Sequence, residues 1–413
     1  MSNGKLHYGW IVILTGLLVT IGAHGFGRMS YTLILPAMKD GLQLNYAHLG
    51  LLGTGNFVGY LIMAIVGGYL AAYFGTRIVI ALALLLMGVT LMLTGLAQGF
   101  GFAFAMRLAT GLGNGAAYVP AMALGSAWFA VQRRGFATGI VSAGIGGGTM
   151  IAGLIVPLVL AAYGSEGWRF AWYYLGGATL IIAGVAALLI RSRPEDLGLG
   201  QVGADAVATA APAAAGRALA WGDIYKHGAV WYLGLVYFMY GFSYIIYMTF
   251  FAAFLVREAG LTPAAAGGLW ALVGGLSILC GVIWGSISDK LGRGRGSALA
   301  YVSLAVSYLL MALLHNTAGH YLSAIVFGLS AWSIPTIMAA AAGDQVGPRL
   351  APAGLGFITL FFGIGQALGP WVGGMLADAT RSFVVPFLLA TAVSLLGAAL
   401  ALGLRPGDHG HKA

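Results

Sequence analysis

The segment GWIVILTGLLVTIGAHGFGRMSYTLILPA, residues 9–37, is apolar over almost its whole length. About 20 apolar residues in a helix cross the hydrocarbon core of a bilayer, so this segment predicts a transmembrane helix. The same segment nevertheless contains His24 and Arg28. A charge at membrane depth costs about 2.5–3.5 kcal/mol on insertion scales, so we expect Arg28 to have a compensating function.

The composition of the whole chain indicates that most of its surface faces lipid. Of its 413 residues, 60% are hydrophobic and only 8% are charged, whereas soluble domains have about 25% charged residues. A single cysteine, Cys280, excludes an internal disulfide framework. The first apolar run is too long for a signal peptide, and no cleavage site follows it, so we expect no cleaved leader.

Further apolar runs along the chain predict eleven more spans. We therefore expect an all-α membrane protein with twelve transmembrane helices, arranged as two pseudo-symmetric six-helix bundles. The predicted spans are residues 9–37, 46–73, 77–98, 101–127, 136–163, 167–190, 228–256, 262–288, 296–315, 318–341, 352–377 and 381–404.

One break between the spans is long, and it defines the expected domains. Residues 191–227 are rich in alanine, glycine and polar residues, which is typical of a linker that has room for a short surface helix. We expect an N-terminal bundle over residues 1–190, a cytoplasmic linker over 191–227, and a C-terminal bundle with a short tail over 228–413.

The distribution of Lys and Arg predicts the orientation. With the N-terminus in the cytoplasm, fourteen of the 20 basic residues fall on the cytoplasmic side and four outside, while Arg28 and Arg107 lie within spans. Basic residues concentrate in cytoplasmic loops, so both termini are predicted to be cytoplasmic. This asymmetry accounts for the net charge of +9 without nucleic-acid binding.

Two short matches indicate that the second half of the chain repeats the first. The tripeptide GIG occurs at Gly144–Gly146 and again at Gly363–Gly365, an offset of 219. The loop GGYLAAYFGTR from Gly67 matches GSISDKLGRGR from Gly285 at an offset of 218. Transporters built from such repeats hold substrate near the bilayer midplane, between the repeats.

The second of these loops resembles a known family. The sequence GSISDKLGRGR resembles the Gly-x-x-x-Asp-x-x-Gly-Arg loop of the major facilitator superfamily, and RLATGLGNG resembles the span-four motif of that superfamily. The resemblance covers the full length and implies a secondary transporter. It implies a gating or structural role for these motif residues: Arg77, Arg107, Gly285, Asp289, Gly292 and Arg293.

Some positions depart from the family pattern. Ala71 occupies the usual Asp position in the first-half loop, which implies a weaker gating contact there. For Arg107 the resemblance implies a structural or a proton-linked role, and we favour the structural one. The spacing Gly-x-x-x-Gly-Pro-x-x-Gly-Gly of drug–proton antiporters occurs at residues 365–374, in the opposite half from usual, which weakens an efflux interpretation without excluding it.

Within the superfamily, the segments HYGWIVILTGLL and RPEDLGLG resemble the bacterial branch of monocarboxylate carriers and oxalate–formate exchangers. That branch typically has an essential Arg in span eight. Here span eight has no charge before Asp289, at its end. The substrate class of the branch is therefore not carried over to this chain.

The first span contains the leading candidates for a binding site. His24, Arg28 and Tyr31 have i, i+4, i+7 spacing, which places them on one face of an α-helix. None of the eleven acidic residues lies mid-span, so we expect an anion to bind Arg28 and Tyr31. We expect His24 to take part in proton coupling. Alternatively, Arg28 bonds backbone carbonyls or snorkels, and His24 is a neutral packing residue.

Other polar and aromatic side chains are candidates for lining the substrate path, with helix packing as the alternative. Span seven has a stripe of tyrosines from Tyr237 to Tyr247, and Asn56 in span two is a weaker candidate. The further candidate binding residues are Asn114, Tyr118, Tyr240, Tyr244, Trp332 and Gln366.

These features favour a secondary transporter that moves a small, monocarboxylate-like organic anion across the bacterial inner membrane by alternating access, coupled to protons. An efflux pump for neutral or cationic amphiphiles is the alternative, but a cation site needs a mid-span acid. A membrane enzyme or sensor is disfavoured because metal-ligand spacing, Gly-x-Ser-x-Gly and phosphate loops are missing from the sequence. We expect a monomer without cofactor or metal, whose partners are substrate, protons and lipid and not nucleic acid.

Overall fold

The chain is built almost entirely from α-helices in the computed structural model, which describes residues 7–203 and 228–404. The larger part of the predicted linker, 204–227, and the predicted tail, 405–413, lie outside the described residues. Within the described ranges, β pairing is limited to a bridge between Phe129 and Val202. The described part of the linker also contains one 3₁₀ turn, Pro194–Leu197.

The first predicted span is helical over Tyr8–Leu42 but changes its hydrogen-bond pattern in the middle. It consists of α1 (Tyr8–Thr20), a π-helical segment (Ile21–Met29) and α2 (Tyr31–Leu42). The remaining helices before the linker are α3 (Tyr46–Phe74), α4 (Thr76–Gly95), α5 (Phe100–Trp128), α6 (Val131–Tyr163) and α7 (Gly167–Leu189).

The helices after the linker begin with α8. They are α8 (Gly228–Arg257), α9 (Pro263–Leu291), α10 (Arg293–Leu313), α11 (Thr317–Ser330), α12 (Ser333–Thr380) and α13 (Val384–Leu402). The structure differs from the sequence prediction at spans ten and eleven, because α12 runs continuously from span ten into span eleven. The break falls instead within span ten at Trp332, whose backbone N–H donates to the Cys280 sulfur at 3.2 Å.

In the described residues, ten helical stretches are long and apolar enough to cross a membrane. The difference from twelve has two sources. Helices α6 and α7 form one stretch, Arg133–Leu189, because only a short turn separates them. Helix α5 is not among the ten, and it carries Arg107 and Asn114, which lower its hydropathy.

The contacts divide the protein into two compact units. The first unit contains the described residues up to Leu42 and those from Gly55 to residue 203. The second contains Gln43–Thr54 together with residues 228–404. Helix α3 therefore begins in the second unit and continues in the first, whereas the sequence placed the whole of this helix in the N-terminal bundle.

In the first unit, glycines of α6 bring that helix against the first span. A Cβ placed on Gly148 would lie 2.7 Å from the Cα of Gly25, and one on Gly144 would lie 2.0 Å from the Thr20 hydroxyl oxygen. The same hydroxyl donates to the Val141 carbonyl at 2.5 Å. Small residues allow such close helix approach in lipid.

The second unit repeats this close approach between α8 and α12. A Cβ on Gly241 would lie 2.3 Å from the Phe362 carbonyl oxygen, and one on Gly365 would lie 2.6 Å from the Phe238 carbonyl oxygen. Gly25 and Gly148 thus correspond to Gly241 and Gly365, at offsets of 216 and 217.

A second pair of glycines gives the same offset. Gly75 and Gly292 both precede a helix with positive φ, 87° and 85°, and lie 217 residues apart. The internal repeat is therefore present in the structure. Its offset of 217 residues is two residues shorter than the offset of 219 that the GIG match indicates. Runs of glycine permit more than one alignment by sequence alone.

The glycine-rich end of α12 packs in the second unit against the start of α3. The Asp378 carboxylate accepts hydrogen bonds from the backbone N–H groups of Tyr46 (2.9 Å) and Ala47 (2.8 Å). A Cβ on Gly374 would lie 2.3 Å from the Tyr46 carbonyl oxygen. The antiporter-like spacing at residues 365–374 is thus a packing seam in this protein.

Candidate functional site

The π-helical segment sets the geometry of the candidate site and corrects the predicted α-helical spacing. At its end the Ser30 N–H donates to the Gly25 carbonyl, five residues earlier, at 3.0 Å. The segment contains Gly22, Gly25 and Gly27, and glycine stabilises an α-helix poorly. Because each turn contains more residues here, His24, Arg28 and Tyr31 do not follow the i, i+4, i+7 face that the sequence predicts.

Arg28 is buried in the first unit, with 9% of its surface exposed. Its guanidinium carbon lies 3.9 Å from the ring centroid of Phe57 and 5.6 Å from that of Tyr60, both on α3. The negative faces of aromatic rings attract a cation, most strongly where water is excluded. Aromatic contacts therefore contribute to holding this charge inside the protein.

His24 lies beside Arg28 and shares a neighbour with it. Its ring centroid lies 4.1 Å from that of Tyr118 and 5.7 Å from that of Tyr60. The His24 ring is buried, and within the described part of the chain its Nδ1 has no hydrogen-bond partner. The structure thus brings His24, Arg28 and Tyr118 together around Tyr60, a residue that the sequence analysis did not single out.

Arg107 supports the π-helical segment from α5. Its guanidinium donates to the Gly27 carbonyl at 2.9 Å and is fully buried. Its guanidinium carbon lies 4.7 Å from the Tyr31 ring and 5.2 Å from the Trp172 ring. Tyr31, predicted to contact substrate, therefore packs against Arg107, and these contacts favour the structural role for Arg107.

Two buried asparagines make further contacts in this region. The Asn114 amide donates to the Ala23 carbonyl at 2.6 Å, and the Asn56 amide donates to the Arg107 carbonyl at 3.2 Å. Each buried amide thereby satisfies a carbonyl. Asn114, predicted to line the path, holds the backbone of the π-helical segment, a contact that the sequence could not indicate.

The second unit has an aromatic cluster that contains four predicted residues. The rings of Tyr240 and Tyr244 stack at 4.5 Å. The Gln366 amide donates to the Tyr244 hydroxyl at 2.8 Å, and the Trp332 ring stands edge-on to Tyr244 at 6.0 Å. Tyr240 donates its hydroxyl proton to the Ala331 carbonyl. Both tyrosines are fully buried.

The tyrosine stripe of α8 does not continue along one surface. Tyr237 stacks on Phe362 of α12 at 4.5 Å. Tyr247 instead packs against Phe327 at 4.4 Å, and its hydroxyl lies 2.7 Å from the Ser323 hydroxyl on α11. Tyr247 therefore packs against α11.

The superfamily loop of the second unit forms an ion-pair cluster. The Arg293 guanidinium contacts Asp289 at 2.5 Å and Asp344 at 2.8 Å, and it donates to the Ser288 hydroxyl at 2.9 Å. Gly292 supplies the positive φ of the turn. Gly285 faces α12, where a Cβ added to it would lie in ordinary contact with the Thr336 methyl group, at 3.8 Å. The loop thus links α9, α10 and α12.

The corresponding loop of the first unit behaves differently. Arg77 is exposed, and its guanidinium donates to the Ala187 carbonyl at 2.7 Å near the end of α7. Basic side chains near a helix C-terminus satisfy its last carbonyls. The offset of 217 pairs Asp289 with Ala72, and not with Ala71 as the sequence match indicated, and it pairs Arg293 with Thr76. The first unit therefore lacks both charges of this ion pair, and Arg77 serves as a helix cap.

The buried charges of the described protein are all positive. Across residues 7–203, 228–345 and 354–404, the buried ionisable side chains, tyrosines aside, are Arg28, Arg107, His24, His320 and Cys280, and none is Asp or Glu. No group of His, Cys, Asp or Glu in the same ranges is arranged to hold a metal ion. The interior thus suits an anionic guest better than a cationic one.

Long apolar helices that enclose buried arginine side chains define this chain as a multi-pass membrane protein of the transporter class. The chain belongs to the Major Facilitator Superfamily, whose family model matches residues 17–353 and 282–413. The predicted family and all-α membrane fold are thereby confirmed, and the protein is a transporter and not an enzyme. The narrower branch suggested by the sequence stays a prediction.

Several bacterial transporters are similar over almost the full length. A probable sulfoacetate transporter of Cupriavidus necator is 27% identical, with 92% of this chain and 90% of the relative covered. The 3-(3-hydroxy-phenyl)propionate transporter of Escherichia coli is 28% identical, with 94% and 93% covered. The hexuronate transporter of Bacillus subtilis is 22% identical, with 94% and 92% covered.

Solved structures share the fold at low sequence identity. A bacterial homologue of the human lysosomal transporter Spinster superposes with a TM-score of 0.79 at 17% identity, covering 97% of each chain. A nucleoside transporter superposes with a TM-score of 0.74 at 15% identity, covering 96% of this chain and all of that one.

Proposed function

We propose that this protein is a secondary active transporter of a small organic anion, and that Arg28 binds the anionic group. The observation that carries the proposal is the sign of the buried charge, which is positive throughout the described residues. A cationic substrate would be repelled by Arg28 and Arg107. An efflux pump for cationic amphiphiles is therefore the weaker candidate.

The chemistry of the Arg28 region supports this choice. A guanidinium presents donors in a planar fork that matches carboxylate or sulfonate oxygens two at a time. The rings of Phe57 and Tyr60 lower the local polarity, which strengthens a charge-assisted hydrogen bond. Three similar proteins are named for acids, namely sulfoacetate, hexuronate and a phenylpropionate.

The energy source in this proposal is a proton gradient, and the mechanism is alternating access between the two repeats. His24 lies one turn from Arg28 and is the member of this cluster whose ordinary titration falls near neutral pH. Symport of a monoanion with one proton moves no net charge. We place the protein in the bacterial inner membrane as a monomer, with both termini in the cytoplasm.

The test is uptake into proteoliposomes under an imposed pH gradient, with a panel of labelled monocarboxylates, sulfonates and hydroxy acids. Arg28→Gln should abolish uptake of the preferred acid while the protein still inserts. Arg133→Gln removes an exposed arginine of α6 and is the matched control. Uptake of cationic amphiphiles instead of acids, or normal acid uptake by Arg28→Gln, would contradict the proposal.

A further inference from the structure

A groove runs along the outside of the first unit between α6 and α7. It has a volume of about 380 Å³ and is lined by residues within Ile151–Val159 of α6, residues within Ala171–Ala178 of α7, and Phe26 of the π-helical segment. This volume falls in the range of small-molecule sites, about 300–1,000 Å³. The surface that lines the groove is apolar.

The groove faces the surroundings of the helices and not the interior of the unit. Two side chains that line it are strongly exposed, Ile155 at 46% and Tyr174 at 51%. In a membrane transporter such a surface contacts the hydrocarbon of the bilayer. The molecules with immediate access to the groove are therefore lipid chains.

The length of the groove matches one lipid leaflet. At 1.5 Å per residue, the lining stretch of α6 spans about 12 Å and that of α7 about 10 Å. A leaflet contributes about 15 Å, half of the roughly 30 Å hydrocarbon core. Both stretches lie toward the same end of the two helices, next to the turn Gly164–Glu166.

Polar groups lie just beyond that end of the groove, where the ester region of a lipid would be. Tyr174 lines the groove, and its hydroxyl lies 2.6 Å from that of Tyr163. Beyond it, Arg169 and Glu166 form an ion pair at 2.9 Å. Tyrosine prefers the interface between hydrocarbon and head groups, where one end of its side chain is apolar and the other is hydrated.

We propose that this groove is a binding site for one acyl chain of a membrane phospholipid, with the ester region at the tyrosine pair. The site is separate from the proposed anion site and does not depend on it. Phe26 lies two residues from both His24 and Arg28, so a bound chain contacts the same π-helical segment that carries the anion site.

The experiment uses the full chain in vesicles of phosphatidylcholine that contain a phosphatidylcholine with a photoreactive diazirine midway along one chain. After irradiation, labelled peptides are mapped by mass spectrometry. We expect labelling concentrated in α6 and α7 along the groove, above that of the equally lipid-facing α4. Even labelling of all lipid-facing helices would overturn the proposal, since it would report bulk lipid only.

A matched pair of substitutions completes the test. Ala178→Phe fills the groove and should abolish the concentrated labelling, whereas Ala81→Phe makes the same change at a half-exposed position of α4 and should preserve it. If Ala178→Phe does not insert, Ala178→Leu replaces it. Unchanged labelling in the filled variant would contradict lipid binding there.

Discussion

At the scale of single residues, the first span poses one question, namely what stabilises Arg28 in the interior. The structure supplies part of the answer with the rings of Phe57 and Tyr60 on α3. A cation–π contact contributes about 0.5–2 kcal/mol, which is less than the insertion cost of an arginine. A bound anion would add a charge-assisted hydrogen bond during the transport cycle.

This argument predicts the effect of a substitution that keeps the charge. Arg28→Lys should preserve the fold but weaken substrate affinity about tenfold or more, because an ammonium loses the second, parallel hydrogen bond to the anion, worth about 1.5–3 kcal/mol. Competition binding or the KM of uptake measures the change. Arg133→Lys should leave affinity unchanged, and full affinity in Arg28→Lys would show that a point charge suffices.

A second prediction concerns His24. Its ring lies within the Tyr60 and Tyr118 cluster, and imidazole ordinarily titrates between about pH 5 and 8. His24→Gln should flatten the pH dependence of uptake around pH 6–7 but keep counterflow exchange, which needs no net proton movement. Initial rates measured across that pH range decide the matter, and an unaltered profile would make His24 a packing residue.

At the scale of helices, the sequence predicts well what depends on length and polarity and poorly what depends on contacts. Apolar length alone locates the spans, because lipid leaves few alternatives to a helix. The π-helical segment could not be predicted, since Asn114 and Arg107 hold its carbonyls from a helix some 80–90 residues away. The cluster around Tyr60 likewise depends on how α3 and α5 pack.

The glycines of α6 allow a prediction with an internal control. Gly148 faces the backbone of Gly25, whereas nothing lies within 4 Å of a Cβ on the neighbouring Gly147. Gly148→Ala should destabilise the protein by about 1–3 kcal/mol through overpacking. Gly147→Ala should be neutral or stabilise it by up to about 1 kcal/mol through helix propensity.

Thermal unfolding of the purified protein in detergent compares the two variants directly. A lower Tm for Gly148→Ala alone supports the backbone contact between α6 and the π-helical segment. Equal Tm values would show that the helices shift apart to admit the methyl group.

At the scale of the whole molecule, the family and the fold follow from the matches over the full chain, but the orientation rests on the basic residues. Single cysteines in a Cys280→Ser background test it. In intact cells, Ser165→Cys in the turn between α6 and α7 should react with an impermeant maleimide. Glu195→Cys at the start of the linker should react only after permeabilisation, and both positions are exposed. The opposite labelling pattern would invert the topology.

The buried positive charge also determines how such a carrier responds to voltage. A monoanion and a proton bound together add no net charge, so under the proposed symport the loaded and the empty carrier have the same charge when they reorient. A full crossing of the field by one charge is worth about 2.3 kcal/mol per 100 mV, but the two reorientations move the buried charge in opposite directions. The membrane potential would therefore change which of the two reorientations is slower and leave the final substrate gradient unchanged.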